Sequence, residues 1–111
     1  MDGNRPSVDS PILAEIVRRL VEVYHPERIY LFGSVARGDA GPDSDFDLMV
    51  IVPDDAPGPL RRSGKAYEAL WDVGTSGDIL VWPRGSFEKL VHLRASLPAT
   101  ILREGRLLYG G

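Results

Sequence analysis

The sequence contains no cysteine, which excludes a disulfide framework, a thiolate metal site and a cysteine nucleophile. It also lacks an apolar run approaching the roughly 20 residues that a membrane-spanning helix needs. The first ten residues are polar and have no apolar stretch typical of a signal peptide. Together these absences predict a cytoplasmic protein that does not enter a membrane.

A surplus of basic residues is missing as well. The chain has 13 Lys and Arg against 16 Asp and Glu, for a net charge of −3. Proteins that bind nucleic acid usually carry a basic excess, so we do not expect direct nucleic-acid binding. With 43% hydrophobic and 26% charged residues in a chain of 111, the composition predicts one folded domain. We expect that domain over residues 9–111, after a flexible arm over residues 1–8.

The hydrophobic pattern alternates between helical spacing and short apolar runs, which predicts an α/β or α+β fold around a small sheet. Ser10 and Pro11 are typical of a helix start, His25-Pro26 of its end, and Gly105 of a later C-cap. The predicted helices are 11–24, 60–73, 86–94 and 97–104, and the predicted strands are 29–32, 46–52, 78–82 and 107–109.

Asp45 and Asp47 form a pair of acids at the start of the second predicted strand. Residues i and i+2 of a strand project to the same face, so the two carboxylates would lie together and repel each other. A divalent cation relieves that repulsion, and Mg²⁺ prefers such hard oxygen ligands. The alternative is a solvated, Asp-rich turn, because Asp39 and Asp43 also lie in this region.

Gly33 and Ser34 follow directly after the first predicted strand. Glycine allows a phosphate to approach the main chain, and the serine hydroxyl can donate a hydrogen bond to it. A helical turn beginning at Val35 would add free N–H groups to an anion site. Taken alone, the pair is equally consistent with an ordinary turn that ends a strand.

The two motifs in sequence carry more information than either one. Residues 31–34, Leu-Phe-Gly-Ser, are followed after ten residues by Asp-Phe-Asp-Leu at 45–48. This arrangement resembles the signature of the DNA polymerase beta-like nucleotidyltransferase superfamily, and residues 36–38 and 44–45 also match its minimal nucleotidyltransferase (MNT) domains. The resemblance runs from about residue 11 to 109. It implies a small, mixed, twisted sheet with helices packed mainly on one side.

The resemblance also implies a third carboxylate on a neighbouring strand. Asp78 matches it, because it opens the apolar run 79–82; otherwise it is an ordinary acid at a strand start. By this resemblance Asp45, Asp47 and Asp78 hold two Mg²⁺ ions, and Asp78 serves as ligand, general base or both. A hydroxyl then attacks the α-phosphate of the nucleotide, and pyrophosphate leaves.

The nucleotide contacts that the resemblance implies are Gly33, Ser34, Arg37 and Ser44. A guanidinium suits bidentate contact with a phosphate, but Arg37 is equally consistent with a loop surface residue or with a partner of an aspartate. Ser44 can instead shape the loop before Asp45.

The resemblance implies an acceptor only through the proteins that usually accompany MNT proteins. The chain has little room for a second domain, and small MNT proteins commonly accompany a HEPN-domain toxin. The leading hypothesis is an MntA-type antitoxin that transfers AMP from ATP to a tyrosine of that toxin. Two alternatives remain open: a non-catalytic module that masks its partner, and a small-molecule nucleotidyltransferase completed by a dimer mate.

Overall fold

The computed structural model describes residues 7–41, 45–73 and 77–110. Most of the arm expected over residues 1–8 lies outside them. The helices are α1 (Pro11–Tyr24), α2 (Gly33–Arg37), α3 (Gly64–Ala69), α4 (Arg84–Glu88) and α5 (Leu97–Glu104), with a 3₁₀ turn at Gly58–Arg61. The strands are β1 (Arg28–Phe32), β2 (Phe46–Val52), β3 (Gly77–Pro83) and β4 (Arg106–Tyr109). Among these described helices none is both long and apolar enough to cross a bilayer.

The four strands form one mixed sheet in the order β3-β2-β1-β4. β1 is antiparallel to both of its neighbours, whereas β2 and β3 are parallel. The register pairs Asp47 with Phe32 of β1 on one side and with Asp78 of β3 on the other. The predicted α/β fold class and its four strands are confirmed.

Strand alternation divides the core between the two faces of the sheet. The first face packs against α1, α2 and α3 through residues such as Leu20, Leu48 and Ala66. The second face is covered by the short helices α4 and α5, which contribute Phe87 and Ile101. The longest helix therefore lies on one face, as expected, but the opposite face is also covered.

Helix α1 forms as its sequence predicts. The Ser10 side chain accepts a hydrogen bond from the Ile12 N–H at 3.2 Å, and Pro11 occupies the first helical position. The helix ends at His25, whose φ of 46° lies in the left-handed region. The apolar stripe that packs on the sheet includes Leu13, Ile16, Leu20 and Tyr24.

The long helix predicted over 60–73 is wrong, because only Gly64–Ala69 is α-helical. Arg61 donates to the backbone oxygens of Ala56 and Asp54, which keeps the chain before α3 in a 3₁₀ turn. After α3, Arg19 of α1 binds the Ala69 carbonyl oxygen at 2.9 Å, so the chain turns there. A local guanidinium contact thus precedes the helix, and a tertiary one follows it.

Three further expectations need correction. The helix predicted over 86–94 spans only Arg84–Glu88, and the Ser96 hydroxyl takes the Leu90 carbonyl oxygen that a longer helix would use. Helix α2 begins at Gly33 rather than at Val35. Gly105 does cap α5, but with extended backbone (φ −84°, ψ 179°) instead of a left-handed turn.

Tyr24 connects α1 to α3 through its buried hydroxyl. That hydroxyl accepts from the Ala66 N–H at 2.9 Å and donates to the Arg62 carbonyl oxygen at 2.6 Å. We expect Tyr24→Phe to lower the free energy of unfolding by about 1–3 kcal/mol, because it removes two hydrogen bonds of a buried hydroxyl, although the Ala66 N–H keeps its bond to the Ser63 carbonyl oxygen at 3.0 Å. Urea denaturation measures this change. The control is Tyr109→Phe on exposed β4, and equal effects of the two variants would contradict the assignment.

Candidate functional site

Asp47 lies at the centre of the candidate site because of its position in β2. Phe46 and Leu48 point into the core of the first face, so strand alternation directs Asp47 to the second face. There it stands beside Asp78 of the parallel neighbour β3. The Asp47 side chain is partly buried and Asp78 is exposed. The register of two parallel strands therefore produces a pair of adjacent carboxylates.

The environment of Asp47 opposes its ionisation. Burial raises the pKa of Asp47, and repulsion from Asp78 and then from Asp45 raises it further. Asp47 and Asp78 are also close enough for a protonated Asp47 to donate a hydrogen bond to its neighbour, whereas Arg37 lowers the pKa of Asp47 slightly. Two carboxylates that cannot both be charged at low cost form an arrangement that a cation stabilises.

Asp45 lies less close to this pair. It is exposed and stands one residue before β2, directly after residues 42–44, which the structure does not describe. Its direction is therefore not set by the alternation of the strand. Within residues 7–41, 45–73 and 77–110 no three acidic, histidine or cysteine side chains are arranged to hold a metal ion. The structure thus brings Asp47 and Asp78 together and leaves Asp45 nearby.

Gly33 contacts the Asp47 carboxylate from the junction of β1 and α2. Its φ is +78°, and a Cβ at this position would overlap the Asp47 Oδ2 atom and lie 3.2 Å from the Asp47 Cγ. Only a residue without a side chain allows this approach between the β1–α2 junction and the carboxylate. The Asp47 carboxylate therefore lies directly against the main chain of Gly33.

Helix α2 carries Ser34 and Arg37 away from this junction. Ser34 is partly exposed, and α2 ends at Gly38, whose φ is +81°. Arg37 pairs with Asp39 at 3.3 Å and with Glu104 of α5 at 3.8 Å. Arg37 is thus close enough to influence Asp47, but it is occupied by other acids. Ser44 falls outside the described residues.

Sequence patterns alone do not assign Gly77 or Tyr67 to this region. A Cβ at Gly77 would lie 2.7 Å from the Phe46 carbonyl oxygen, so a glycine lets β3 begin directly beside β2. The Tyr67 hydroxyl accepts a hydrogen bond from the Ile79 N–H at 3.1 Å. The only sequence signal for Gly77 is its place directly before Asp78. For Tyr67 there is none, because the contact depends on how α3 packs.

A cavity of about 370 Å³ opens on the first face, opposite the carboxylates. Tyr67 and Trp71 form part of its wall, and Trp71 is 88% exposed. The cavity lies against the starts of β2 and β3 through Phe46 and Gly77. Its wall is mostly apolar, so it provides contact area and no reactive group.

The raised pKa of Asp47 predicts a pH dependence of stability. The folded chain binds more protons than the unfolded chain between the ordinary aspartate pKa and the raised value, so the free energy of unfolding falls as pH rises through that interval. Ion pairs with Arg18 and Arg19 lower the pKa of Glu15 to about 2 and act in the opposite direction. Comparing Asp47→Asn with wild type isolates Asp47. We expect the stability advantage of the variant, measured by urea denaturation without divalent metal, to grow with pH. A shrinking advantage would contradict the raised pKa.

Comparison with known proteins gives one family and several similar structures. The sequence profile described as the nucleotidyltransferase domain matches residues 11–108. The chain is also 28% identical over 112 residues to a bifunctional uridylyltransferase/uridylyl-removing enzyme of Psychrobacter sp. (strain PRwf-1). That match spans 99% of this chain but only 12% of the relative.

Three solved structures share the fold. One is the structure of a protein from Sulfolobus solfataricus that is described as a provisional nucleotidyltransferase. It has a TM-score of 0.56 and 19% sequence identity, and the match covers 89% of this chain and 78% of that chain. A toxin-antitoxin structure with AMP-PNP has a TM-score of 0.55 at 20% identity, and a mutant of the toxin-antitoxin MntA-HpeT has 0.54 at 18%. Each of these two matches covers 87% of this chain and 73% of the chain in the solved structure. At such identities the likeness establishes the fold.

Proposed function

The chain belongs to the nucleotidyltransferase domain family, and from that premise we propose that it transfers AMP from ATP to a tyrosine hydroxyl of a partner toxin. The observation that carries the proposal is the position of Asp47 between Gly33 and Asp78. One side of this carboxylate is main chain without a Cβ, and the other side is a second carboxylate. A divalent cation fits between the two carboxylates, and a phosphate bound to that cation would meet the main chain at Gly33.

The donor chemistry of the acids fits Mg²⁺. Asp47 and Asp78 offer adjacent oxygen ligands, and their mutual repulsion is a cost that a cation removes. Asp45 stands close enough to repel Asp47 and is the proposed further ligand. In this family two bound Mg²⁺ ions would supply charge neutralisation for the phosphates and a lower pKa for the attacking hydroxyl.

The phosphates are proposed to lie against the start of α2. The Asp47 carboxylate fills the place that a Gly33 Cβ would take, so phosphates bound beside Asp47 would meet the Gly33 main chain, and the Ser34 hydroxyl can donate to a phosphate oxygen. Arg37 would join them by exchanging Asp39 or Glu104 for a phosphate, a change that long, exposed ion pairs permit at low cost. Ser44 remains a proposed contact.

The proposed reaction balances as one displacement. The acceptor oxygen forms a bond to the α-phosphorus, and the bond from that phosphorus to the bridging oxygen of the β-phosphate breaks. Pyrophosphate leaves, and the hydroxyl proton passes to Asp78 or to water. The chain contributes mainly position: Gly33 and Ser34 hold the donor, and Asp78 stands at the exposed side where the acceptor enters.

A protein acceptor is supported by two observations. Two of the similar solved structures are toxin-antitoxin assemblies. The exposed side chains of Trp71 and Tyr67 also give the chain an apolar surface near the starts of β2 and β3. Large exposed aromatic residues are typical of protein interfaces. A HEPN-domain toxin is the partner class that the MNT resemblance implies.

The test is an AMP transfer assay with Mg²⁺ and the proposed toxin, taken as the protein encoded beside this chain. ATP labelled on the α-phosphate should label the toxin, whereas ATP labelled on the γ-phosphate should not. Mass spectrometry of the product should locate one AMP on a tyrosine. Neutralisation of the toxin without any transferred label would instead favour the masking module, and label on a small molecule would favour the third alternative.

A further inference from the structure

The strand that carries Asp78 lies at an edge of the sheet. β3 pairs with β2 on one side, and the order β3-β2-β1-β4 leaves no described strand on its other side. Alternate backbone N–H groups of β3 therefore point outward, where a strand edge is normally open to solvent. The Ile79 N–H, one residue after Asp78, is directed to the Tyr67 hydroxyl at 3.1 Å.

Tyr67 is itself on a segment that the core holds in place. The preceding residue, Ala66, is completely buried, and its N–H donates to the Tyr24 hydroxyl at 2.9 Å. Tyr24 also binds the Arg62 carbonyl oxygen ahead of α3. Consecutive hydrogen bonds thus connect α1 to α3 and α3 to the backbone beside Asp78.

We propose that the Tyr67 hydroxyl is a positioning group that holds the start of β3 so that Asp78 stays opposite Asp47. The proposal rests on the proposed function, since it assigns Tyr67 to the metal-binding pair of that reaction. Pairing with β2 fixes one edge of β3, and the Tyr67 hydroxyl restrains the other edge at Ile79. Without it, the backbone that carries the exposed Asp78 is restrained from one side only.

The ring of Tyr67 and its hydroxyl have separable roles. The side chain is 48% exposed, and its ring lines the apolar cavity together with Leu70 and Trp71. Tyr67→Phe keeps that wall and removes only the hydrogen bond to Ile79. The variant therefore tests position rather than packing.

The experiment compares full-length wild type and Tyr67→Phe by amide hydrogen exchange and by Mn²⁺ binding. A single lost hydrogen bond should speed exchange at Ile79 by about two- to tenfold, with little change at Leu48 and Val50 of β2. The Mn²⁺ dissociation constant should rise by a similar factor of about two to ten. In the transfer assay the variant should need more Mg²⁺ for half-maximal rate, with the KM for ATP unchanged.

Tyr109→Phe is the matched control, because it removes a tyrosine hydroxyl at the opposite edge of the sheet. It should leave exchange at Ile79 and the affinity for Mn²⁺ as in wild type. Unchanged Ile79 exchange and unchanged Mn²⁺ affinity in Tyr67→Phe would overturn the positioning role. A wild-type chain that binds Mn²⁺ but transfers no nucleotide would instead overturn the proposed function, and the comparison of Mn²⁺ affinities would still decide the role of Tyr67.

Exchange in the wild type alone provides a second test that does not depend on the variant folding. Val81 lies two residues further along β3, so its N–H points to the same edge. We expect the Ile79 amide to exchange more slowly than the Val81 amide. Equal or faster exchange at Ile79 would show that the Tyr67 hydroxyl does not hold this edge, and the proposal would be wrong.

Discussion

Asp47→Asn should reduce the rate of AMP transfer by at least about a hundredfold, because even groups that only orient metal ligands change activity by 10- to 100-fold. The amide keeps the shape of the side chain but removes the negative charge that a cation needs. Since the charged form of Asp47 is disfavoured in the fold, the variant should be no less stable than wild type without metal. Single-turnover transfer and thermal unfolding measure the two effects.

A loss of transfer rate without a loss of stability distinguishes a metal ligand from a residue that supports the fold. Asp55→Asn removes the same charge from an exposed loop and should change neither quantity. Adding Mg²⁺ should raise the melting temperature of wild type more than that of Asp47→Asn, because a ligand stabilises only the state that binds it. Loss of transfer accompanied by loss of stability would indicate that Asp47 supports the fold and does not bind metal.

Gly33→Ala should lower transfer by about a hundredfold, because a displacement of about 1 Å at a reacting group can cost that much. The added methyl group would overlap the Asp47 carboxylate, so the carboxylate, the α2 start or both must move. The left-handed backbone adds a stability cost of about 1–2 kcal/mol for any residue with a Cβ.

Gly38→Ala provides a control at a glycine with a similar positive φ. Its φ is +81°, compared with +78° at Gly33, but a Cβ there would meet no atom within 4 Å. We expect Gly38→Ala to lose about 1–2 kcal/mol of stability and to keep its transfer rate. The difference in transfer rate between the two variants therefore reports the effect of disturbing the contact between Gly33 and Asp47. Equal rates would mean that this approach does not matter for the reaction.

The sheet and α1 could be predicted because local signals and burial agree there. Alternating or continuous apolar runs mark β2, and the Ser10 cap and the apolar stripe mark α1. The segment after β2 could not be predicted in the same way. Its helix is bounded by Arg61, which binds backbone oxygens of the preceding loop, and by Arg19, which reaches the Ala69 carbonyl oxygen from α1. Such contacts leave no periodic pattern in the sequence.

In the candidate site, too, some features have a signal in the sequence and others depend on packing. Family resemblance identifies Gly33, Asp47 and Asp78; the strand register pairs the two acids, and Gly33 follows the last residue of β1, which pairs with Asp47. Spacing along the chain also predicts that Asp45 projects together with Asp47. That expectation treats Asp45 as a strand residue, whereas β2 begins one residue later. The hydrogen bond from Ile79 to Tyr67 depends on the packing of α3 and had no signal in the sequence.

The most direct measurement is a crystal structure of this chain with Mg²⁺ and a non-hydrolysable ATP analogue. We expect a cation bound by Asp47 and Asp78 oxygens at about 2.1 Å, with the phosphates against the main chain of Gly33 and the Ser34 hydroxyl. Asp45 should turn toward the same cation. A nucleotide bound elsewhere on the chain, with Asp47 and Asp78 contacting neither metal nor phosphate, would contradict the account.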